Sequence, residues 1–144
     1  MSQQLAFAKS ILASQPFSTL VGAELTAFVE GHAEIHIPIR DNLKQQHGFD
    51  HGGVISYAAD NALTFAGGSM LGAGVVTSEF KINYLRPALG DRLIARAQVI
   101  YAGKNQAVSR CDIFAADERE ERLCATSQGT IARLGASSPQ DKHG

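Results

Sequence analysis

Hydrophobic and polar positions change period several times along the chain, and each change marks an element. Leu5, Ala8, Ile11 and Leu12 recur at helical spacing, which predicts a short amphipathic N-terminal helix. Leu20 to Glu30 is apolar and β-capable, and Gly31 marks a turn. The segment HAEIHIPI then alternates, with Ala33, Ile35, Ile37 and Ile39 on one face and His32, Glu34, His36 and Pro38 on the other. That pattern predicts a half-buried strand, and Pro38 places it at an edge or a bulge. A polar connection, RDNLKQQHGFD, leads to a helix starting near His51 and ending in the Gly-rich GGSMLGAG. Val54, Ile55, Ala58, Ala59, Ala62, Leu63, Phe65 and Ala66 make that helix apolar nearly all round, so it must be buried rather than laid on a surface.

Four strands are predicted after it. VTSEFKINYL alternates around Phe80, Ile82 and Tyr84, and DRLIARAQVIYA around Leu93, Ala95, Ala97, Val99 and Tyr101. A turn at Gly103-Lys104-Asn105 precedes AVSRCDIFAA, and the charged turn DEREER precedes LCATSQGTIARL. Short connections favour an antiparallel meander of these four. The expected architecture is α+β, one antiparallel sheet curled around a central helix, with exposed sheet edges that favour a dimer. Residues 1–134 read as a single domain, and the small polar tail 135–144 is expected to fray.

Composition narrows the function classes. With 144 residues, 44% hydrophobic and 19% charged, the chain has the balance of an ordinary globular domain. A net charge of −1 argues against nucleic acid, which needs a basic field. No apolar run reaches membrane-spanning length, and the N-terminus lacks the charged region of a signal peptide, so a cytoplasmic protein is expected. Cys111 and Cys124 form neither a CxxC pair nor a disulfide framework, in keeping with a reduced compartment. His32 and His36 share a strand face without a third ligand at useful spacing, so no metal site is expected. Neither G-x-S-x-G nor G-x-G-x-x-G occurs.

The chemistry concentrates in the long helix. Between His51 and Thr77 only Asp60 carries a formal charge. Burying a lone carboxylate is costly unless something compensates it, and the Ser56 and Thr64 hydroxyls lie at i−4 and i+4 on its stripe. At the helix entry, the first N–H groups have no internal partner and carry the positive dipole end. Gly52 and Gly53 there let a ligand approach the backbone closely.

His51-Gly52-Gly53, with Gly48 three residues earlier and Asp60 seven residues after Gly53, resembles the hotdog-fold acyl-CoA thioesterases of the PaaI type. Tyr84-Leu85-Arg86-Pro87 followed by Gly90-Asp91 is similar to that family's strand-end signature, and the resemblance spans roughly Phe17 to Leu134. It implies an acyl-CoA thioesterase in which Gly52 and Gly53 hold the oxyanion and Asp60 acts as nucleophile or general base. Gln45, next to Gln46, stands where the family has Asn or Gln contacting the nucleophile or thioester. Thr77 matches a Thr or Ser that orients the hydrolytic water, and Thr64 a supporting hydroxyl. His51 shapes the glycine turn or contacts the thioester. Ser56, Tyr57 and Asn61 are expected to line the substrate site, and Arg86 and Lys104 to meet the CoA phosphates. No cofactor is implied beyond the CoA of the substrate. Asp60 lies about 12 Å along the helix from Gly52 at 1.5 Å per residue, so the two serve one substrate only across antiparallel helices of a dimer. The family implies a homo-oligomer, a dimer or dimer of dimers. A non-catalytic acyl-CoA-binding module and a hotdog dehydratase or hydratase are the alternatives. The hydratase D-x-x-x-x-H motif is missing around the helix.

Overall fold

A computed structural model describes residues 2–135 of the chain; the expected tail, apart from Gly135, lies outside them. Two helices, α1 (Gln3–Ala13) and α2 (Pro16–Val21), precede strands β1 (Glu24–Val29) and β2 (His32–Pro38). A single 3₁₀ turn, Asp41–Leu43, leads to the long helix α3 (Gly52–Leu71). Strands β3 (Val75–Tyr84), β4 (Arg92–Ala102), β5 (Gln106–Ala116) and β6 (Glu121–Arg133) complete the fold.

Helix α1 starts where the Ser2 hydroxyl accepts a hydrogen bond from the Leu5 N–H, and it buries Ala8 and Leu12 as its spacing predicts. The second helix was not foreseen. PFSTLV is apolar and partly β-branched, which suits a strand equally well. Pro16 sits where a helix start tolerates it, and Gly22 at φ 77° ends the helix after six residues.

All six strands pair antiparallel in one sheet of order β1-β2-β4-β5-β6-β3. The α+β architecture expected of a hotdog is therefore present, with α3 packed on the sheet. The four-strand meander is corrected to three strands. β4, β5 and β6 are consecutive neighbours, whereas β3 pairs with β6 at the far edge. The connection 85–91 must therefore carry the chain past two strands, and its Leu85 N–H is held by the Cys124 carbonyl at 2.8 Å. β2 is an interior strand rather than an edge; Pro38 is tolerated because it is the strand's last residue.

The core lies between α3 and the sheet. Ala58, Ala59, Ala62, Leu63 and Ala66 of the helix meet Ile35, Ile37, Leu93, Ile113 and Ile131 of the strands, all fully buried. Small residues bring the helix close: a Cβ added at Gly67 would lie 2.7 Å from the Ile131 side chain. Two bulges redirect side chains that simple alternation misplaces. One between Val99 and Tyr101 leaves Tyr101 68% exposed, although alternation grouped it with the inward residues of β4. The other, between Thr77 and Glu79, puts Thr77 on the inner side with Phe80 and Ile82. A Cβ at Gly129, opposite this bulge, would lie 2.6 Å from the Glu79 carbonyl oxygen, so the bulged strand needs a glycine beside it.

Candidate active site

Apolar residues on one side of α3 leave Ser56, Tyr57, Asp60, Asn61, Thr64 and Gly68 as a half-buried stripe on the other. Asp60 is half-buried rather than enclosed in the core of its own chain. Its Oδ1 accepts a hydrogen bond from the Thr77 hydroxyl at 2.6 Å. Thr64 Oγ1 lies 2.6 Å from Thr77 Oγ1 and 2.8 Å from the Asp60 carbonyl oxygen. Each hydroxyl has one proton. With Thr77 donating to the carboxylate, Thr64 donates either to Thr77 or to the Asp60 carbonyl. The expected compensation by Ser56 and Thr64 is thus corrected: Thr77 reaches the carboxylate, Thr64 stands behind it, and Ser56 bonds elsewhere. Among the described residues, Asp60 Oδ2 has no protein hydrogen-bond partner.

The helix entry is built by His51 and Tyr84. His51 is the N-cap, and its Nδ1 accepts the Gly53 N–H at 2.7 Å. A Cβ at Gly53 would come within 2.9 Å of that nitrogen, so a side chain here would push the capping ring aside. The Gly52 N–H has no protein acceptor among the described residues. Tyr84 covers the entry from the end of β3: its hydroxyl donates to the Gly52 carbonyl at 3.2 Å and shares a hydrogen bond with the Ser56 hydroxyl. Alternation marks Tyr84 as an aromatic at a strand end but does not reveal that it covers the helix entry.

A cleft of about 300 Å³ opens beside this entry, lined by Asp50, Gly52, Tyr84 and Arg86 among others. Asp50 was also missed. It is 1% exposed, both carboxylate oxygens lack a hydrogen-bond partner, and burial pushes its pKa up to about 6 against the opposing pull of the Lys44 charge. A charged residue immediately before H-G-G was the available signal.

Other expected residues are more dispersed. The Gln45 side-chain oxygen accepts from the His47 N–H, closing its own loop, and no hydrogen bond joins it to Asp60 within the chain. Asn61 Nδ2 donates to the Tyr57 hydroxyl at 2.8 Å and to Gln15 Oε1 at 3.1 Å. Tyr57 also shares a hydrogen bond with buried Ser18, so both residues pin the N-terminal helices to α3. Burial holds the Tyr57 hydroxyl above its usual pKa. Arg86 lies at the helix entry, whereas Lys104 is in the β4–β5 turn beside Asn105, whose carbonyl accepts from Arg133 N–H at the opposite end of the sheet. One chain therefore does not bring Arg86 and Lys104 together. Cys111 and Cys124 are fully buried; burial raises both thiols, Cys124 to about 11, which fits packing rather than nucleophilic attack. Among the described residues, no three His, Cys, Asp or Glu side chains gather as a metal site would need. No described helix is long and apolar enough to cross a membrane.

Comparison with known proteins bears on this geometry. A family model described as thioesterase superfamily matches residues 47–122, more than half of the chain. A putative esterase of Haemophilus influenzae is 33% identical over 78% of this chain and 80% of its own length. Acyl-coenzyme A thioesterase PaaI of Escherichia coli is 30% identical over 81% of each. Among solved structures, a thioesterase family protein from Silicibacter pomeroyi superposes with a TM-score of 0.83 at 34% identity, covering 92% of this chain and 96% of that one.

Proposed function

The chain belongs to the thioesterase superfamily as a PaaI-type hotdog protein, and from that premise we propose that it hydrolyses acyl-CoA thioesters at sites shared between two protomers. The observation that carries this reading is the Asp60 carboxylate, steadied at Oδ1 by Thr77 and open at Oδ2, on a helix whose entry leaves the Gly52 N–H free.

In this reading the thioester carbonyl accepts the Gly52 N–H of one protomer, and the Gly53 N–H joins when the His51 ring turns aside. These donors and the helix dipole stabilise the oxyanion that forms on attack. Asp60 of the other protomer either attacks the carbonyl carbon or takes a proton from an attacking water. Collapse breaks the C–S bond; the CoA thiolate leaves and takes a proton from solvent. By the first route, water then hydrolyses the acyl anhydride on Asp60. Thr77, backed by Thr64, positions the carboxylate in both. Gln45 completes the entry loop, and Arg86 and Lys104 of different protomers take the CoA phosphates. The reaction needs no cofactor beyond the CoA in its substrate. The half-buried stripe of α3 and the free edge of β3 support a homodimer, and a dimer of dimers is the larger assembly we propose. Free Cys111 and Cys124 fit a reducing, cytoplasmic setting.

The test is release of free thiol from a panel of acyl-CoA thioesters by wild type and by Asp60→Asn. The substitution keeps size and hydrogen bonding but removes the base or nucleophile. Turnover should fall by about 100-fold or more, the scale of a lost base or nucleophile, with the circular dichroism spectrum unchanged. A folded variant with near-wild-type turnover contradicts the assignment.

A further inference from the structure

We propose that Asp50 is a positioning residue that works through a proton: its neutral carboxyl keeps the entry of α3 closed against the 85–91 connection, and a CoA thioester binding at that entry takes up a proton there. The inference rests on the thioesterase reading and adds to it a residue outside the groups that touch the thioester.

Asp50 stands where three segments meet. Its N–H donates to the Ala88 carbonyl of the 85–91 connection at 3.2 Å. It forms an isolated antiparallel bridge with Lys44, and beside it the His51 N–H donates to the Leu43 carbonyl at 2.9 Å. His51 caps α3, and Gly52 follows with its free N–H. A shift at residue 50 therefore moves both the cap and the proposed oxyanion donor. The carboxyl at this junction is 1% exposed, with no hydrogen-bond partner on either oxygen. Packing alone does not call for such a group, because an apolar side chain of similar size closes the loop without stranding two desolvated oxygens.

The surrounding charges decide which form of the carboxyl suits the closed entry. Its own loop carries Lys44, held by Asp41 at 3.1 Å, together with His47 and His51. The connection carries Arg86 and Asp91, β3 ends in Tyr84, and α3 offers no charge before Asp60. From β6 comes the Cys124 thiol, raised by burial and by the Asp50 charge and opposed by Arg86. None of these groups donates a hydrogen bond to Asp50. Burial outweighs the Lys44 charge and brings its titration up to about 6. The neutral carboxyl loses least by staying sealed. The carboxylate is drawn toward Lys44 or Arg86, against the hydrogen bonds to Ala88 and Leu43. Asp50 and Arg86 line the same cleft beside Gly52. A CoA thioester seated there displaces water and brings phosphate charge to Arg86, and both effects favour the neutral carboxyl. Binding and protonation thus promote each other. The proton comes from solvent, stays on Asp50 through turnover and is not passed to the substrate.

Titration calorimetry with S-ethyl-CoA, a thioether that cannot be hydrolysed, tests this in buffers of different ionisation enthalpy. Wild type, Asp50→Asn and Lys44→Met are compared between about pH 5.5 and pH 7.5, the range around the Asp50 titration. The CoA phosphates contribute equally in all three, so the excess over Asp50→Asn counts the Asp50 proton. That excess should be about 0.5 at pH 6 and about 0.9 at pH 7. Relative to Asp50→Asn, the wild-type Kd should weaken ~10-fold or more across the range, and kcat/KM for any accepted acyl-CoA should fall in parallel. Lys44→Met removes the charge that favours the carboxylate, so its proton uptake should move to higher pH, which a packing role does not produce. Lys44 is exposed, so this variant reads the linkage whatever Asp50→Asn does to folding. Equal proton uptake by wild type and Asp50→Asn, or a Lys44→Met profile that coincides with wild type, overturns the Asp50 assignment, and thioester hydrolysis in the same preparations leaves the thioesterase reading standing. Proton-linked thioether binding without hydrolysis of any thioester supports the Asp50 assignment and overturns the thioesterase reading.

Discussion

At the residue scale, Asp60 and Asp50 are two carboxylates in contrasting surroundings. Asp60 has a hydroxyl donor on one oxygen and room at the other, whereas Asp50 is sealed with neither oxygen partnered. Burial raises the Asp50 pKa from 3.8 to about 6, so the folded state favours its neutral form. Its ionisation costs nothing below about pH 3.8, costs progressively more as pH rises to about 6, and costs a roughly constant amount above that. At about 1.4 kcal/mol per pKa unit, the full effect is on the order of 3 kcal/mol. Asp50→Asn, which cannot ionise, should gain stability relative to wild type by up to that amount between pH 4 and pH 7.5. Denaturant midpoints at both pH values measure it, and a difference that does not change with pH refutes it. Asp60 was legible in the sequence because it is the lone charge in an apolar helix, and Gly52 and Gly53 because they open that helix. For Asp50 the charge immediately before H-G-G is visible in the sequence, but not its burial, which depends on the 85–91 connection bringing Ala88 against it.

At the element scale, β3 delivers Thr77 to Asp60 through an irregularity. Taken from Phe80, Ile82 and Tyr84, strict alternation sends Thr77 to the opposite face from them. The register shift between Thr77 and Glu79 reverses that, and Gly129 makes room for it. Residue identity alone marked Thr77, through family resemblance; its orientation depended on a bulge that one sequence does not encode locally. Strand order was hidden for a similar reason. Loop lengths suit a β3–β4 hairpin, yet the 85–91 connection anchors at Leu85 to the Cys124 carbonyl and at Asp91 to the Ala116 carbonyl, leaving β3 to pair with β6. If β3 serves to position Thr77, then Thr77→Ala should lower kcat by about 10–1000-fold, the range for losing one positioning or stabilising hydrogen bond, with little change in KM. Restoration of most of this activity by Thr77→Ser would show that the hydroxyl, not the methyl packing, is responsible. Unchanged kcat in folded Thr77→Ala returns the residue to a structural role.

At the scale of the whole molecule, the helix that carries Asp60 also prevents a single chain from completing the site. Gly52 and Asp60 are on one rigid helix about 12 Å apart at 1.5 Å per residue. No side-chain rotation brings that carboxylate to a carbonyl held at its own helix entry. The half-buried stripe of α3 leaves Asp60 partly exposed, and the edge of β3 is unpaired on the protomer. An antiparallel partner helix would set each Asp60 near the other's entry. Mixing two inactive variants tests this most directly. Asp60→Asn lacks the carboxylate, and Gly52→Val blocks the carbonyl's approach. A mixed dimer has one site with both defects and one with neither. After dissociation and random reassociation of equal amounts, half the dimers are mixed and half their sites are intact. Activity should return to about a quarter of wild type if sites act independently. A mixture that stays inactive after verified subunit exchange contradicts the shared site.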